Sequence, residues 1–212
     1  MVSRPGKRDL RHVARAARAA IAADLDLQVA GRAVSAALLP LVPVGSRVAA
    51  YESLPDEPPT GRLIADLLAA GHEVVVPVVL DNWSLDWRYA VSGAVGDRAT
   101  VARPSRLHRL EERSGSTTQA GPRLGADAVA SCAVVIVPAL SVDRQGNRLG
   151  QGGGCYDRAL ALRHPEALVL AVLHDGEASE ASLPAEAHDE RVDGWVTTSG
   201  VIELLRGPGS PG

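Results

Sequence analysis

A three-layer α/β/α domain, its mostly parallel sheet covered by helices on both faces, is the fold class that three features of the sequence predict. Two runs, Glu73 to Leu80 and Ala133 to Pro138, are apolar without interruption, which suits strands buried on both faces. Strand-like and helix-like runs alternate at βαβ spacing, once between Arg47 and Leu80 and again between Ala133 and Leu173. No shift in composition marks a boundary within the 212 residues, so residues 1–212 are expected to form a single domain. A chain of that length removes on the order of 70% of its unfolded surface from water and needs no disulfide or structural metal to hold a core.

The elements follow in order. From Lys7 to Leu39 a helical region is expected, with Leu10, Val13, Ala17 and Ile21 at the spacing of one face and Lys7, Arg11, Arg15 and Arg18 sharing the other. Pro40 and Pro43 close it. Arg47 to Tyr51 reads as a short strand ending in turn chemistry, Pro55-Asp56-Glu57-Pro58-Pro59. Thr60 is the expected N-cap of a helix running to Ala70, with Gly71 as its stop. The Glu73 to Leu80 strand comes next, then Ser84 to Val91, whose alternation suits an outer strand. Ala102 to Arg123 is polar and aperiodic, so a surface loop is expected there, flexible over 103–122. Beyond it lie a strand from Ala133 to Pro138, a loop from Asp143 to Gly154, a helix from about Tyr156 to Arg163, and a strand from Ala167 to Leu173.

Composition excludes several classes of function. There is no Phe, and aromatics make up 3% of residues, so Val, Leu, Ile and Ala have to fill the core. Cys132 and Cys155 have no CxxC spacing and are too few for a disulfide framework, which points to a reducing, cytoplasmic setting. The longest apolar runs fall far short of the ~20 residues of a membrane span. Arg and Ala enrich the start, but Asp9 and the lack of an apolar run argue for structure rather than a transit peptide. A net charge of -3 speaks against a general nucleic-acid binder. Charge is nonetheless uneven: Lys7, Arg8, Arg11, Arg15 and Arg18 crowd the beginning, and Glu177, Glu180, Glu186, Asp189, Glu190 and Asp193 the end. Without further context, these read as a solvated helix face and an acidic loop.

The strongest local signal is Arg148-Leu149-Gly150-Gln151-Gly152-Gly153-Gly154-Cys155-Tyr156-Asp157, between a buried strand and a helix. Glycines let backbone N–H groups approach an anion, and a following helix N-terminus adds a favourable dipole. The segment matches neither GxGxxG nor the Walker pattern, and a plain glycine-rich hairpin remains an alternative. A second signal is the chain's only lysine, Lys7, a compact point charge where arginine is used everywhere else. A third is the set Asp157, Asp189 and Asp193, since carboxylates together with phosphate oxygens hold Mg²⁺, though each one alone could be a cap or a solvated charge.

Taken in order, Lys7-Arg8-Asp9-Leu10-Arg11, Tyr51 with Glu57-Pro58-Pro59-Thr60, Val137-Pro138-Ala139-Leu140 leading to Asp143, Gly146-Asn147-Arg148-Leu149-Gly150-Gln151-Gly152-Gly153-Gly154 with Tyr156-Asp157-Arg158, and His188-Asp189 with Asp193 resemble the 5-formyltetrahydrofolate cyclo-ligase family along nearly the whole chain. The resemblance implies ATP- and Mg²⁺-dependent cyclisation of 5-formyltetrahydrofolate to 5,10-methenyltetrahydrofolate, with ADP and phosphate released through a phosphorylated formyl intermediate. It further implies catalytic roles for Lys7 and Arg148. ATP binding would fall to Lys7, Arg8, Arg11, Arg148, Leu149, Gly150, Gln151, Gly152, Gly153, Gly154 and Tyr156. Leu54, Glu57, Gly152, Gly153, Gly154 and Cys155 would meet the folate, and Asp157 and Asp189 would approach the metal. The expected partners are small molecules, with neither nucleic acid nor membrane, and the expected state is a monomer.

Three departures concern the folate end. Pro59 stands where the family commonly has an acidic residue, and Glu57 is expected to take over that contact. Cys155 replaces the first of two tyrosines before Asp157, and a Glu-Pro pair expected before the strand at Ala133 is missing around Glu111 and Glu112. Two other readings are thereby kept: a divergent member activating another small formyl or carboxylate compound with ATP, and a non-catalytic folate- or nucleotide-binding module.

Overall fold

The computed structural model describes residues 6–91 and 122–205. The expected loop over 103–122 therefore lies outside the described residues, except for Pro122. Two helices replace the single expected helical region: α1 (Lys7–Ala23) and α2 (Leu27–Leu38). The break falls at Asp24-Leu25-Asp26, where the Asp26 carboxylate accepts hydrogen bonds from Gln28 N and Val29 N and caps α2. The chain continues through β1 (Arg47–Ala49), α3 (Gly61–Ala69), β2 (Glu73–Val79) and β3 (Leu85–Tyr89). After the undescribed segment come a 3₁₀ turn at Ala126–Ser131, β4 (Val134–Pro138), β5 (Ser141–Asp143), β6 (Arg148–Leu149), α4 (Cys155–Leu160), β7 (Leu168–Leu173), β8 (Ala178–Ser179), β9 (Gly194–Thr197) and β10 (Ile202–Leu204).

Seven strands form one sheet in the order β10-β9-β7-β4-β1-β2-β3. Pairing is parallel from β9 to β2 and antiparallel at the two edges, β3 and β10. The continuous apolar runs bury both faces, as expected. In β4, Val134 and Ile136 join a core shared with Val34 and Leu38 of α2 and Leu63, Ile64 and Leu67 of α3. Val135 and Val137 join the opposite core, with Ala159 and Leu160 of α4 and Val129 of the 3₁₀ turn.

Helix α1 corrects the usual reading of an amphipathic helix. Its apolar face is turned largely to solvent, with Val13 66% exposed, while the one fully buried residue of the helix is Arg18. An amphipathic surface helix normally buries its apolar stripe. This one is held to the domain through its cations, because the surface it meets is polar.

Three smaller differences are local. Thr60 does stand at the N-cap of α3, but its hydroxyl donates to the Tyr51 carbonyl oxygen at 2.5 Å and caps nothing. Helix α4 ends at Leu160, short of Arg163, so the dipole expected behind the glycine segment comes from only six residues. The expected loop from Asp143 to Gly154 contains a strand, β6, that pairs antiparallel with β5 just before it, and the two form a small second sheet with β8.

The turn of that hairpin is tightly specified. Burial alone would raise the Asp143 carboxyl, but hydrogen bonds from Asn147, Leu183 N and Gln145 N outweigh it and hold the group below its ordinary range. Gly146 has φ +79°, and a Cβ there would collide with the Val192 carbonyl oxygen. Gly146→Ala is therefore expected to cost more than about 1 kcal/mol, lowering Tm by a few degrees at about 2–4 °C per kcal/mol in a chain of this size. Thermal unfolding followed by circular dichroism checks this, and an unchanged Tm would show that the turn relaxes freely.

Candidate active site

Strand order reverses between β1 and β4: the chain leaves β1 for β2 on one side and β4 for β7 and β9 on the other. Ligands of open α/β sheets bind outside the carboxyl ends of the strands at such a switch point. Here those ends lead into Tyr51 to Thr60 after β1, Ala139 to Gly154 after β4, and His174 to Asp193 after β7. Helix α1 is hydrogen-bonded to the second and third of these, and its Arg18 interacts electrostatically with Tyr51 and Glu57 in the first.

Arg18 forms the anchor. Its guanidinium donates to both carboxylate oxygens of Glu177, at 2.7 and 2.6 Å, and to the Ala139 carbonyl oxygen. Arg18 is 1% exposed, so it is no part of a solvated face, and Glu177 is buried opposite it rather than sitting in an acidic loop. Glu177 also accepts from His174 N at 2.8 Å, so the pair joins α1 to the turn after β7.

The other cations of the same face line up along the glycine segment. Arg11 donates to the Gly150 carbonyl oxygen at 2.9 Å, and Arg15 to the side-chain and main-chain oxygens of Gln151 at 2.8 and 2.6 Å. The ammonium group of Lys7 pairs with Asp189 at 2.5 Å and with Glu186 at 2.9 Å. Burial alone would lower the Lys7 pKa, but the hydrogen bonds to Asp189 and Glu186 outweigh it and raise it. Asp189 mirrors this, with burial acting upward and the Lys7 hydrogen bond carrying its pKa below the ordinary value. Arg8 is exposed and takes no partner among the described residues.

Arg148, on β6, keeps 4% of its side chain exposed. It donates to Asp157 at 2.7 Å and to the Pro138 carbonyl oxygen at 3.4 Å, and its guanidinium carbon stands 5.8 Å from the Tyr156 ring centre. Its buried Nε has no hydrogen-bond partner. A buried donor left unpaired is uncommon enough to need a reason, and an anionic ligand supplies one. Leu149, by contrast, belongs to the core at 3% exposure. Its contribution is positional, with its carbonyl oxygen accepting from Leu140 N at 2.7 Å.

Asp157 also accepts from Glu190 N at 3.3 Å, which brings the residue after Asp189 beside it. Asp193 stands apart, its carboxylate accepting from Val169 N at 2.8 Å as part of the sheet. No group of three metal-ligating side chains occurs among the described residues. The two carboxylates suit Mg²⁺, which keeps several waters and takes one or two carboxylates together with substrate phosphates.

Glu57 interacts electrostatically with Arg18 and Tyr156, which brings the turn after β1 to the same site. Glu57 is buried, and its carboxylate accepts from Leu54 N at 3.0 Å. Burial first, and the Glu57 charge second, push the Tyr51 and Tyr156 hydroxyls well up, so both stay protonated at any physiological pH. Gly152 has φ +107°, a conformation that side chains rarely adopt, and it lies directly against the Arg11 guanidinium. Burial raises the Cys155 thiol, and pushes Cys132 up to about 12. Both thiols are therefore expected to react with iodoacetamide at pH 8 far more slowly than free cysteine. Mass spectrometry of the alkylated chain checks this, and rapid labelling of Cys155 would mean that its thiolate is stabilised.

Arg18 and Glu177 are site residues to which sequence reasoning gave no role beyond a solvated helix face and an acidic loop. Their signal was the opposite charge of the two clusters, with Arg18 sharing a helical face with Lys7, Arg11 and Arg15.

The sequence profile of the 5-formyltetrahydrofolate cyclo-ligase family matches residues 3–198. The chain belongs to that family. Among its relatives, the 5-formyltetrahydrofolate cyclo-ligase of Mycolicibacterium smegmatis is 34% identical over 168 residues, covering 76% of this chain and 78% of the relative. The mouse (Mus musculus) 5-formyltetrahydrofolate cyclo-ligase is 26% identical over 153 residues, covering 69% and 70%. A solved 5,10-methenyltetrahydrofolate synthetase from Aquifex aeolicus superposes with a TM-score of 0.69 at 24% identity, over 96% of this chain and 95% of that one. A second, from Mycoplasma pneumoniae, gives 0.62 at 15% identity, over 92% and 99%. Both structures share the cyclo-ligase fold described above. No helix among the described residues is long and apolar enough to cross a membrane.

Proposed function

We propose that this cyclo-ligase family member converts 5-formyltetrahydrofolate to 5,10-methenyltetrahydrofolate at the expense of ATP, with Mg²⁺, releasing ADP and phosphate. The observation that carries the reading is the cationic face of α1 running along the glycine segment at the switch point, beside an Arg148 donor with no partner. We further propose that residues 1–212 act as one domain, on small molecules, as a cytoplasmic monomer.

In this reading the formyl oxygen on N5 attacks the γ-phosphorus of ATP, breaking the bond to the bridging oxygen and releasing ADP. N10 then bonds to the activated carbon, loses its proton, and the carbon–oxygen bond breaks to expel phosphate. Such transfers are catalysed mainly by positioning and by cations around the moving group. Lys7 and Arg148 are the catalytic cations. Arg8, Arg11, the backbone from Leu149 to Gly154 and Tyr156 surround the nucleotide. Leu54, Glu57, Gly152 to Gly154 and Cys155 meet the folate. Asp157 and Asp189 would hold Mg²⁺, which screens polyphosphate charge when bound. Both carboxylates pair with cations, Asp189 with Lys7 and Asp157 with Arg148, and holding the metal would leave those two cations to meet phosphate.

The test follows methenyltetrahydrofolate absorbance from 5-formyltetrahydrofolate with ATP and Mg²⁺, alongside ADP release. Product formed only with all components present supports the reading. ATP hydrolysis that 5-formyltetrahydrofolate does not stimulate would transfer it to a divergent substrate, the alternative that Pro59 and Cys155 favour. Binding of folate or nucleotide with no hydrolysis at all would leave a non-catalytic binding module. For the metal, Asp157→Asn and Asp189→Asn are each expected to raise the Mg²⁺ concentration for half-maximal rate, because a neutral amide is a poorer partner for a hard dication. Wild-type metal dependence in both variants would make these carboxylates structural.

A further inference from the structure

Trp83 lies in the turn between β2 and β3 and is 46% exposed, while Trp87 and Trp195 are buried in the core at 1% and 5%. It is the only non-glycine residue among those described with a positive φ, at 64°. A bulky side chain rarely holds that conformation, and such strain persists where the surroundings or a function demand it. The turn itself does not need the ring. Leu80 N to Ser84 O and Trp83 N to Leu80 O, both 2.9 Å, would form as well around glycine.

The surroundings point to the glycine segment. One Arg158 nitrogen donates to both the Trp83 carbonyl oxygen and the Gly153 carbonyl oxygen, tying the turn to that segment. A Cβ on Gly153 would lie 3.1 Å from Cε3 of the Trp83 ring and 3.2 Å from the Cys155 sulfur, so ring and thiol both crowd a residue with no side chain. The cations Arg11 and Arg15 meet the segment at Gly150 to Gly152 instead. Polyphosphate chemistry and the exposed ring thus fall at different ends of the segment.

We infer that Trp83 is a substrate-binding residue that stacks on a planar ring of the folate, next to Gly153 and Cys155. The inference rests on the proposed function and names the wall of its folate pocket. Stacking on an exposed indole suits a flat, electron-rich heteroaromatic.

Tryptophan fluorescence gives a test that is independent of turnover, because the other two indoles are buried. Titration with 5-formyltetrahydrofolate alone, corrected against free tryptophanamide, is expected to quench the emission, and ATP with Mg²⁺ alone to leave it nearly unchanged. Trp83→Leu should abolish the quench and weaken folate binding by about two- to tenfold, and Trp83→Phe should keep most of the affinity. Trp83→Gly should raise Tm by relieving the strained φ while weakening folate binding, a combination that a purely structural tryptophan would not give. Quenching by ATP with none by folate, or folate affinity unchanged in Trp83→Leu, would overturn the inference. A wild-type chain that binds folate and is quenched by it, yet forms no methenyl product, would overturn the proposed reaction and leave this site standing.

Discussion

Lys7→Ala is expected to lower kcat by on the order of 10²- to 10³-fold, the usual cost of deleting a single cation or donor aimed at charge that develops in the transition state. The fold should survive. Lys7 lies in the first turn of α1 and belongs to neither hydrophobic core, so its truncation removes a part-buried ion pair with Asp189 and an exposed one with Glu186 while leaving the sheet and its packing helices intact. Because the interaction is proposed to strengthen in the transition state, KM should move less than kcat. The charge state of the pair also makes a prediction about pH. The lowered Asp189 carboxyl contributes stability above its usual value of 3.8 that is lost as pH falls through the folded pKa. The raised Lys7 ammonium contributes below 10.5 and is lost as pH rises through the folded pKa. Between those limits both stay charged, so an inflection in rate near neutral pH would have to come from another group. Steady-state kinetics with thermal unfolding decides the matter, and an unchanged kcat would remove Lys7 from the mechanism.

The second large effect is on stability. Arg18→Ala strands Glu177 in a buried setting, and breaking a buried pair from one side costs about 3–5 kcal/mol. At about 2–4 °C per kcal/mol, the melting temperature should fall by about 6 to 20 °C. The double variant Arg18→Met with Glu177→Leu should recover most of the loss, since an apolar pair of similar volume leaves no unpaired charge. If the double variant is as unstable as the single one, the hydrogen bond to the Ala139 carbonyl oxygen is what holds α1 in place.

How far the sequence speaks for itself differs between elements. The strands at Glu73 and Ala133 were legible because side chains buried on both faces leave an unbroken apolar run. The helix at Gly61 was legible because Gly71 ends it. Strand β9 was not, since Gly194-Trp195-Val196-Thr197 is too short to show a period. Within the site, the glycine segment and Lys7 stood out by residue type alone. The direction in which α1 faces did not, because periodicity reports that a helix has two faces and not which neighbour waits for each. Only the acidic and carbonyl groups gathered beside it, all more than a hundred residues away, decide that the cations turn inward. Trp83 was hidden for a similar reason: nothing in the turn sequence reveals that Gly153 lies across from it.

Those separations also bear on the order in which the protein can be made. Lys7 meets a partner 182 positions along the chain, Arg18 one 159 away, and Arg11 one 139 away. Contacts of such range wait until loop-closure entropy has been overcome by everything between them. The βαβ units can condense from neighbours, whereas α1, with its apolar stripe facing water, has little to hold it until β7 and the turn carrying Asp189 are in place. Recognition of the nucleotide is on this view the last property a refolding molecule acquires, arriving after its helices and sheet have already formed.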